Sequence, residues 1–377
     1  MFDRSTSCAI HVLCRICKRV GIGLLAGTLA GLIFATVGVR LAQAQLPPPT
    51  AQDTASDVVY NDGWQTGDNG GFGMGAWTLN TTSGSPSQNG HFVGISTANN
   101  GMSGDSNGDG DINTPVNRAW GLYANSGQTA SAVRNVTQPF TPGSVFEIWM
   151  DNGDVQVGGT VGFGLQNSAG EDLLEVYFIG GGTQYTVHGN TPTASGVNFT
   201  REGVRVVITL TTASTFQATL TRLVDGASAT VSGSLRSATS GSTISRLRLF
   251  NANAGSGSDR DLFFNRITYY RGRVLNTDTG RGYLNIQPAI NDAATQPGHT
   301  LVIAAGTYTG TQNNPVTINK PRLTLAGAGA TNTLILKTTP GTISGIVINS
   351  GITGTTISGL RVQGFDAGGI CGTANNH

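Results

Sequence analysis

The stretch Gly104-Asp105-Ser106-Asn107-Gly108-Asp109-Gly110-Asp111-Ile112-Asn113 has residue types and spacing that could hold a metal ion. Counting Asp105 as position 1, oxygen-bearing side chains fall at 1, 3, 5 and 9 (Asp105, Asn107, Asp109, Asn113), with Gly at 6 and Ile at 8. A tight turn aims every second side chain inward, and Ca²⁺ takes about six to eight hard oxygen ligands, so the expected cofactor is a structural calcium ion. Position 12 is Val116 rather than a bidentate Glu, so the missing ligand has to come from Asp111, a backbone carbonyl or water. The competing reading is a Gly/Asp/Asn-rich surface turn that binds nothing. A second stretch, Gly63 to Trp77, sets Trp64 and Trp77 among glycines and amides. Exposed, these rings would stack on sugar faces while the amides bond hydroxyls, which makes Trp64 and Trp77 carbohydrate-binding candidates. The same composition also describes aromatic core anchors, and both readings stand.

The acidic loop resembles an EF-hand or dockerin-type calcium loop, although Pro115 leaves no room for a flanking helix. Catalytic groups are harder to find. His91, His188 and His299 stand alone in sequence, without metal-ligand spacing. From Val274 to His377 the only acids are Asp278, Asp292 and Asp366, with no Glu. Acid–base cleavage of a glycosidic bond needs paired carboxylates, and no pair is legible there, so no catalytic residue is expected.

The elements that must position these residues are strands. Phe146/Ile148/Met150, Val161/Phe163/Leu165, Leu174/Val176/Phe178, Val204/Val206/Ile208/Leu210, Phe216/Ala218/Leu220, Leu247/Leu249 and Phe263 to Tyr269 alternate with polar or small residues. Turn signals such as Asp151-Asn152-Gly153 and Asp225-Gly226 separate them. Trp120 and Tyr123 read as one more strand with inward rings. No long helical period interrupts residues 57–272, so the span is expected to be an antiparallel β-sandwich of jelly-roll or lectin-like topology.

Past Tyr283 the pattern changes. Leu301-Val302-Ile303, Leu323-Thr324-Leu325, Ile346-Val347-Ile348 and Ile370 recur at steps of 22, 22 and 23, with an offset series at Val316/Ile318, Leu334–Leu336 and Ile357/Leu360/Val362. A near-fixed period with two or more strands per repeat predicts a solenoid, because one repeat cannot bury its apolar face alone. The pieces IQPAINDA, PGHTLVIAAGTYTG, INKPRLTLAGAG and ISGLRVQGF resemble the opening turns of right-handed parallel β-helix proteins of the pectate-lyase-like kind. The resemblance implies an N-terminal amphipathic helix plugging the open end, and Ile286, Ala289, Ile290 and Ala293 supply one apolar helical face. It implies little about activity, since this superfold hosts many functions. Gly372 to His377 carries no capping pattern, so the segment is expected to be the truncated start of a longer solenoid.

At the other end, Arg4, Arg15, Lys18 and Arg19 precede an apolar run from Val20 to Val39 and then Ala42-Gln43-Ala44, the order of a removable export signal over 1–44. Cys8, Cys14 and Cys17 precede that cut, leaving Cys371 alone in the mature chain and no disulfide to form. Of 22 basic and 21 acidic residues, five and one respectively fall in 1–44, which leaves a formal charge of −3. That balance excludes an electrostatic surface for nucleic acid or anionic lipid. The expected organisation is all-β: signal peptide 1–44, linker 45–56, sandwich 57–272, linker 273–282 and partial parallel β-helix 283–377. The expected function is an extracellular or cell-surface, non-catalytic protein for carbohydrate binding, adhesion or structure, with a polysaccharide or surface glycan as partner. The alternative is a polysaccharide lyase or glycoside hydrolase whose catalytic turns lie beyond His377.

Overall fold

The computed structural model describes residues 48–96, 112–113, 118–338, 344–366 and 368–372. The expected export signal over 1–44 and the loop residues Asp105, Asn107, Asp109 and Asp111 lie outside the described residues. The described chain is almost entirely strand, and its first part forms two antiparallel sheets whose apolar faces share one core. The first sheet runs Ser228–Ser234, Thr215–Arg222, Val204–Leu210, Val145–Asp151, Leu262–Tyr270, Ala119–Ala124, Asn89–Gly94. The second runs Pro192–Asn198, Gln184–His188, Asp172–Ile179, Thr160–Gln166, Arg246–Ala252, Thr129–Asn135, Thr78–Thr81. Alternation sets the faces: in Val145–Asp151 the inward Phe146, Ile148 and Met150 are buried, and the intervening Val145, Glu147 and Trp149 are half-buried.

Strand Leu262–Tyr270 changes phase midway. Leu262 and Phe264 enter the main core, and so do Ile267 and Tyr269, which is possible only if one residue is inserted. The insertion is a bulge between Asn265 and Thr268, with Arg266 at φ 52°. Before the bulge the strand pairs with Ala119–Ala124; after it the partner is Ala51–Asp53. The segment 45–56, expected as a linker, therefore contributes a strand to the sandwich.

Residues 273–282, also expected as a linker, are structured as well. Val274–Asn276 pairs antiparallel with Gly282–Tyr283 on one side and with Thr300–Ile303 on the other. Three sets of parallel strands follow, which the chain visits in turn. They are Thr300–Ile303, Thr324–Gly327 and Thr356–Ser358; Gly306–Tyr308, Thr333–Leu336 and Arg361–Gln363; and Val316–Ile318, Ser344–Ile348 and Gly368–Gly372. Leu301, Ile303, Tyr308, Val316, Ile318, Leu325, Ile335 and Ile346 fill a second core between them. The column expected from the 22-residue step is corrected by this register. The step matched Ile303 with Leu325, but Ile303 faces Gly327; Leu325 faces Leu301 and Ile357, while Val347 faces Thr317 and Cys371. The helix spans Ile286–Asn291; Ile286, Ala289 and Ile290 are buried in the second core as expected, and Ala293 lies past its end and is exposed.

The two sheets of the sandwich are tied by a buried ion pair. Asp53 of the N-terminal strand meets Arg134 of Thr129–Asn135, both side chains fully buried. Tyr60 donates to the same carboxylate oxygen, and the Trp77 indole N–H donates to the Tyr60 hydroxyl at 3.0 Å. Arg134 also donates to the Gly75 carbonyl (3.0 Å) and to Asn69 Oδ1 (3.1 Å), and its guanidinium lies 4.7 Å from the Trp77 ring centroid. Satisfied in this way, a buried pair fixes one geometry; removing one partner leaves an uncompensated charge. Burial pushes the Asp53 carboxyl up from 3.8 to about 6, against the lowering effect of Arg134 and Tyr60. The folded chain thus keeps a proton that the unfolded chain releases, so this contribution to stability is full below about pH 4 and is lost as pH rises to about 6. Asp53→Asn is expected to remove that pH step and to cost about 3–5 kcal/mol at neutral pH. Urea denaturation between acidic and neutral pH reads both effects, and a much smaller loss would show that the pair does not hold the sheets together.

Candidate functional site

The strand Thr160–Gln166 reads T-V-G-F-G-L-Q, with Val161, Phe163 and Leu165 in the core. Its outward positions in between are Gly162 and Gly164, which carry no side chain of their own and are buried under side chains from the neighbouring strands. Strand register arranges those side chains. His188, Glu175, Gly164 and Arg248 form one row across four adjacent strands, and Thr186, Tyr177, Gly162 and Phe250 form the next.

Arg248 reaches across Gly164. Its Nη2 donates to Glu175 Oε1 at 2.7 Å and to Asp172 Oδ2 at 2.9 Å, and its guanidinium lies 4.4 Å from the Phe250 ring centroid. Arg236 donates to the other Glu175 oxygen and, through Nε, to the Gly189 carbonyl at 3.2 Å. Asp172 Oδ1 accepts from Gln166 Nε2 at 2.9 Å. His188 Nδ1 lies 3.9 Å from Glu175 Oε2 and 3.3 Å from the Tyr177 hydroxyl. All of these charged groups keep partial contact with solvent.

The electrostatics follow from that packing. Burial raises Asp172, with Arg248 opposing and Glu175 adding to the rise. Burial and the Arg236 charge lower His188, which keeps the imidazole neutral around pH 7. Burial and the Glu175 charge raise Tyr177, so its phenol remains a donor. Two carboxylates and two guanidiniums cancel in charge, and each carboxylate is held by at least one guanidinium. Such a network makes a poor nucleophile or general acid, but it fixes donors and acceptors on the sheet's outer face beside the Tyr177 and Phe250 rings. That is the chemistry of hydroxyl recognition.

This cluster was not legible in the sequence, where His188 stood alone and no acid pair was seen. Its members come from five separate segments, and the only local signal is Gly-x-Gly inside a strand, which marks close approach of neighbouring side chains over the glycines. The expected sugar platform is corrected: Trp64 and Trp77 are 4% and 1% exposed. They pack edge to face at 5.1 Å, and Trp77 lies 5.8 Å from Trp120, in the core beside Tyr60. Trp120 is inward as expected, whereas Tyr123 is half-exposed and donates to the Pro86 carbonyl.

Of the expected metal ligands only Asn113 is described. It is buried, its Oδ1 accepts from the Ser96 N–H at 2.8 Å, and its Nδ2 donates to Ser96 Oγ at 3.0 Å. Ile112 is fully buried against Ala119 and Phe263. Among the described residues no three His, Cys, Asp or Glu side chains converge on a metal position. The acids of the parallel segment are dispersed. Asp278 accepts from the Thr300 N–H, Asp292 from Tyr283, and Asp366 pairs with Lys337.

No protein-family model matches the chain, and no curated protein sequence matches it. Solved structures that it resembles include a sialidase (12% identity, TM-score 0.32), over 42% of this chain and 16% of the sialidase. Others are the Ca²⁺-bound exoplasmic/lumenal domain of VIP36 (9% identity, TM-score 0.30, 44% and 83% of the two chains) and a legume lectin-like domain from Entamoeba histolytica (12% identity, TM-score 0.29, 42% and 85%).

The two glycines under the site make separable predictions. A Cβ at Gly164 would lie 2.5 Å from Asp172 Oδ1, a side-chain atom that can swing away. One at Gly162 would lie 2.2 Å from the Val176 carbonyl oxygen and 2.6 Å from Tyr177 Cα, which cannot. Gly162→Ala is expected to cost about 1–3 kcal/mol, as overpacking does, and Gly164→Ala less than about 1.5 kcal/mol. Denaturant midpoints of the two variants give the order directly, and the reverse order would contradict the register.

Proposed function

We propose that the protein is an exported carbohydrate-binding module. Its sandwich recognises a glycan on the face around Glu175 and Arg248, and its later segment begins a right-handed parallel β-helix. The observation that carries the binding reading is the fixed network of Asp172, Glu175, Arg248, His188 and Tyr177 laid across four strands over Gly162 and Gly164. Vicinal hydroxyls of a sugar match a row of fixed carboxylate and guanidinium groups, and the half-buried Tyr177 ring lies beside them. The cyclic order of three parallel strand sets supports the β-helix reading, and export rests on the charged and apolar order of residues 1–44.

Glycan-array screening of the mature chain, followed by titration calorimetry with the best ligand, tests the binding reading. Glu175→Gln and Arg248→Met are each expected to weaken binding by about tenfold or more, the equivalent of one lost charge-assisted hydrogen bond at about 1.4 kcal/mol. A bound glycan indifferent to both substitutions would place recognition elsewhere.

The acidic loop is proposed as a structural calcium site built on Asp105, Asn107, Asp109, Asp111 and Asn113. Its support is the regular spacing of oxygens, with the hydrophobic position Ile112 anchored in a small core and Asn113 tied to Ser96. Calcium is expected to raise the melting temperature saturably with about one ion per chain, and Asp105→Ala with Asp109→Ala is expected to abolish the rise. An unchanged melting temperature at millimolar calcium would leave the loop as a turn.

A further inference from the structure

The sandwich and the parallel strands meet at Arg271-Gly272-Arg273, and the seam holds a cleft of about 440 Å³. Pro48, Thr50, Gln138, Arg271, Arg273 and Thr307 are among its lining residues. A smaller hollow of about 230 Å³ shares Arg271 and Arg273 and adds Thr141, Pro142 and Val302. Neither hollow is lined by an Asp or a Glu. Among the described residues neither guanidinium has an acidic partner, whereas Arg134, Arg205, Arg236 and Arg248 are all ion-paired.

The seam is also held in place. Arg273 lies 4.0 Å from the Tyr308 ring centroid, and its Nη2 donates to the Thr307 carbonyl at 2.9 Å. Gly306 makes room for it: a Cβ there would lie 2.6 Å from Nη2, and the backbone is at φ 141°. The main chain is fixed from both sides, with Arg271 N–H on Thr50 Oγ1 (3.0 Å), Gly272 N–H on Ser144 Oγ (3.2 Å) and Arg273 N–H on the Tyr283 carbonyl (3.0 Å). Two cations in one hollow repel each other, and an anion between them removes the repulsion. The rest of the lining offers hydroxyls and a carboxamide, which suit a ligand that carries hydroxyl groups as well as charge.

We propose that this cleft binds the anionic group of an acidic saccharide, with Arg271 and Arg273 facing the charge and Thr50, Gln138 and Thr307 facing the hydroxyls. The anion is a uronic carboxylate or a sulfate ester, since both present oxygens to paired guanidiniums. This site is independent of the Glu175 face, which lies on the second sheet.

The test is ligand-observed NMR on the mature chain with D-glucuronate, glucose 6-sulfate and glucose as probes. The expected result is binding on the order of millimolar for one or both anions and none for glucose. Binding of one anion alone supports the site and assigns its source. Arg271→Gln is expected to weaken binding about tenfold without moving the melting temperature, and Arg271→Lys to retain most of it, because the charge remains. Glu175→Gln is expected to leave these affinities unchanged, which separates this site from the neutral glycan face. No binding by either anion, equal binding of glucose, or an unaltered affinity in Arg271→Gln would overturn the proposal.

Discussion

Parallel strands that stack turn upon turn begin with open edges that no earlier turn can pair. Unpaired backbone N–H and C=O groups at such an edge cost stability and invite association. Here the preceding residues close each opening strand in a different way. Val274–Asn276 lies antiparallel along Thr300–Ile303. Arg273 covers the Thr307 carbonyl. The Gln287 carboxamide imitates a missing strand on Val316–Ile318, accepting from the Thr317 N–H at 2.6 Å and donating to its carbonyl at 3.0 Å. The helix Ile286–Asn291 lays Ile286, Ala289 and Ile290 over the apolar interior. Residues 271–273 are held by the sandwich, so the parallel segment starts from a surface that the sandwich fixes.

That dependence explains why segments that read as spacers are not spacers. Residues 45–56 and 273–282 lack periodicity because each contributes only three residues or so to a sheet, too few for alternation to show. What makes them strands is the edge they cover, a tertiary demand with no local signature. The longer strands were legible for the opposite reason. With seven or more residues and one buried face, Val145–Asp151 and Val204–Leu210 repeat the inward–outward pattern often enough to fix their phase. The exception is Leu262–Tyr270, where the bulge at Arg266 hides a phase change inside what reads as one strand.

The periodic reading of the last hundred residues found parallel strands but not their register. Recurrent short apolar pieces do mark several strands per turn. The constant step, however, assigned Val347 to the column of Ile303 and Leu325, whereas Leu325 lies beside Leu301, and Val347 beside Thr317 in another set. Unequal turns between strands are the cause: from Leu301 to Leu325 is a shorter path than from Leu325 to Ile357. The apolar triplets look alike whichever set they belong to, so spacing alone cannot sort them. The tryptophans raised a related ambiguity. Gly-rich context around Trp64 and Trp77 fits either an open platform or a tight core, and the Arg134–Asp53–Tyr60 network around Trp77 decides for the core.

Recognition chemistry, by contrast, was illegible, because it is assembled across strands rather than along them. The Glu175 face needs His188, Glu175, Gly164 and Arg248 at the same height on four strands, and only the register supplies that coincidence. Its charges cancel internally, so what it presents is the direction of fixed donors and acceptors, which salt screens little. The seam at Arg271 and Arg273 has the converse character, with uncancelled charge and fewer oriented partners. Attraction there acts at longer range and weakens as ionic strength rises. A chain with so few charged residues thereby carries two unlike groups of charge, one cancelled within its own network and one without an acidic partner among the described residues.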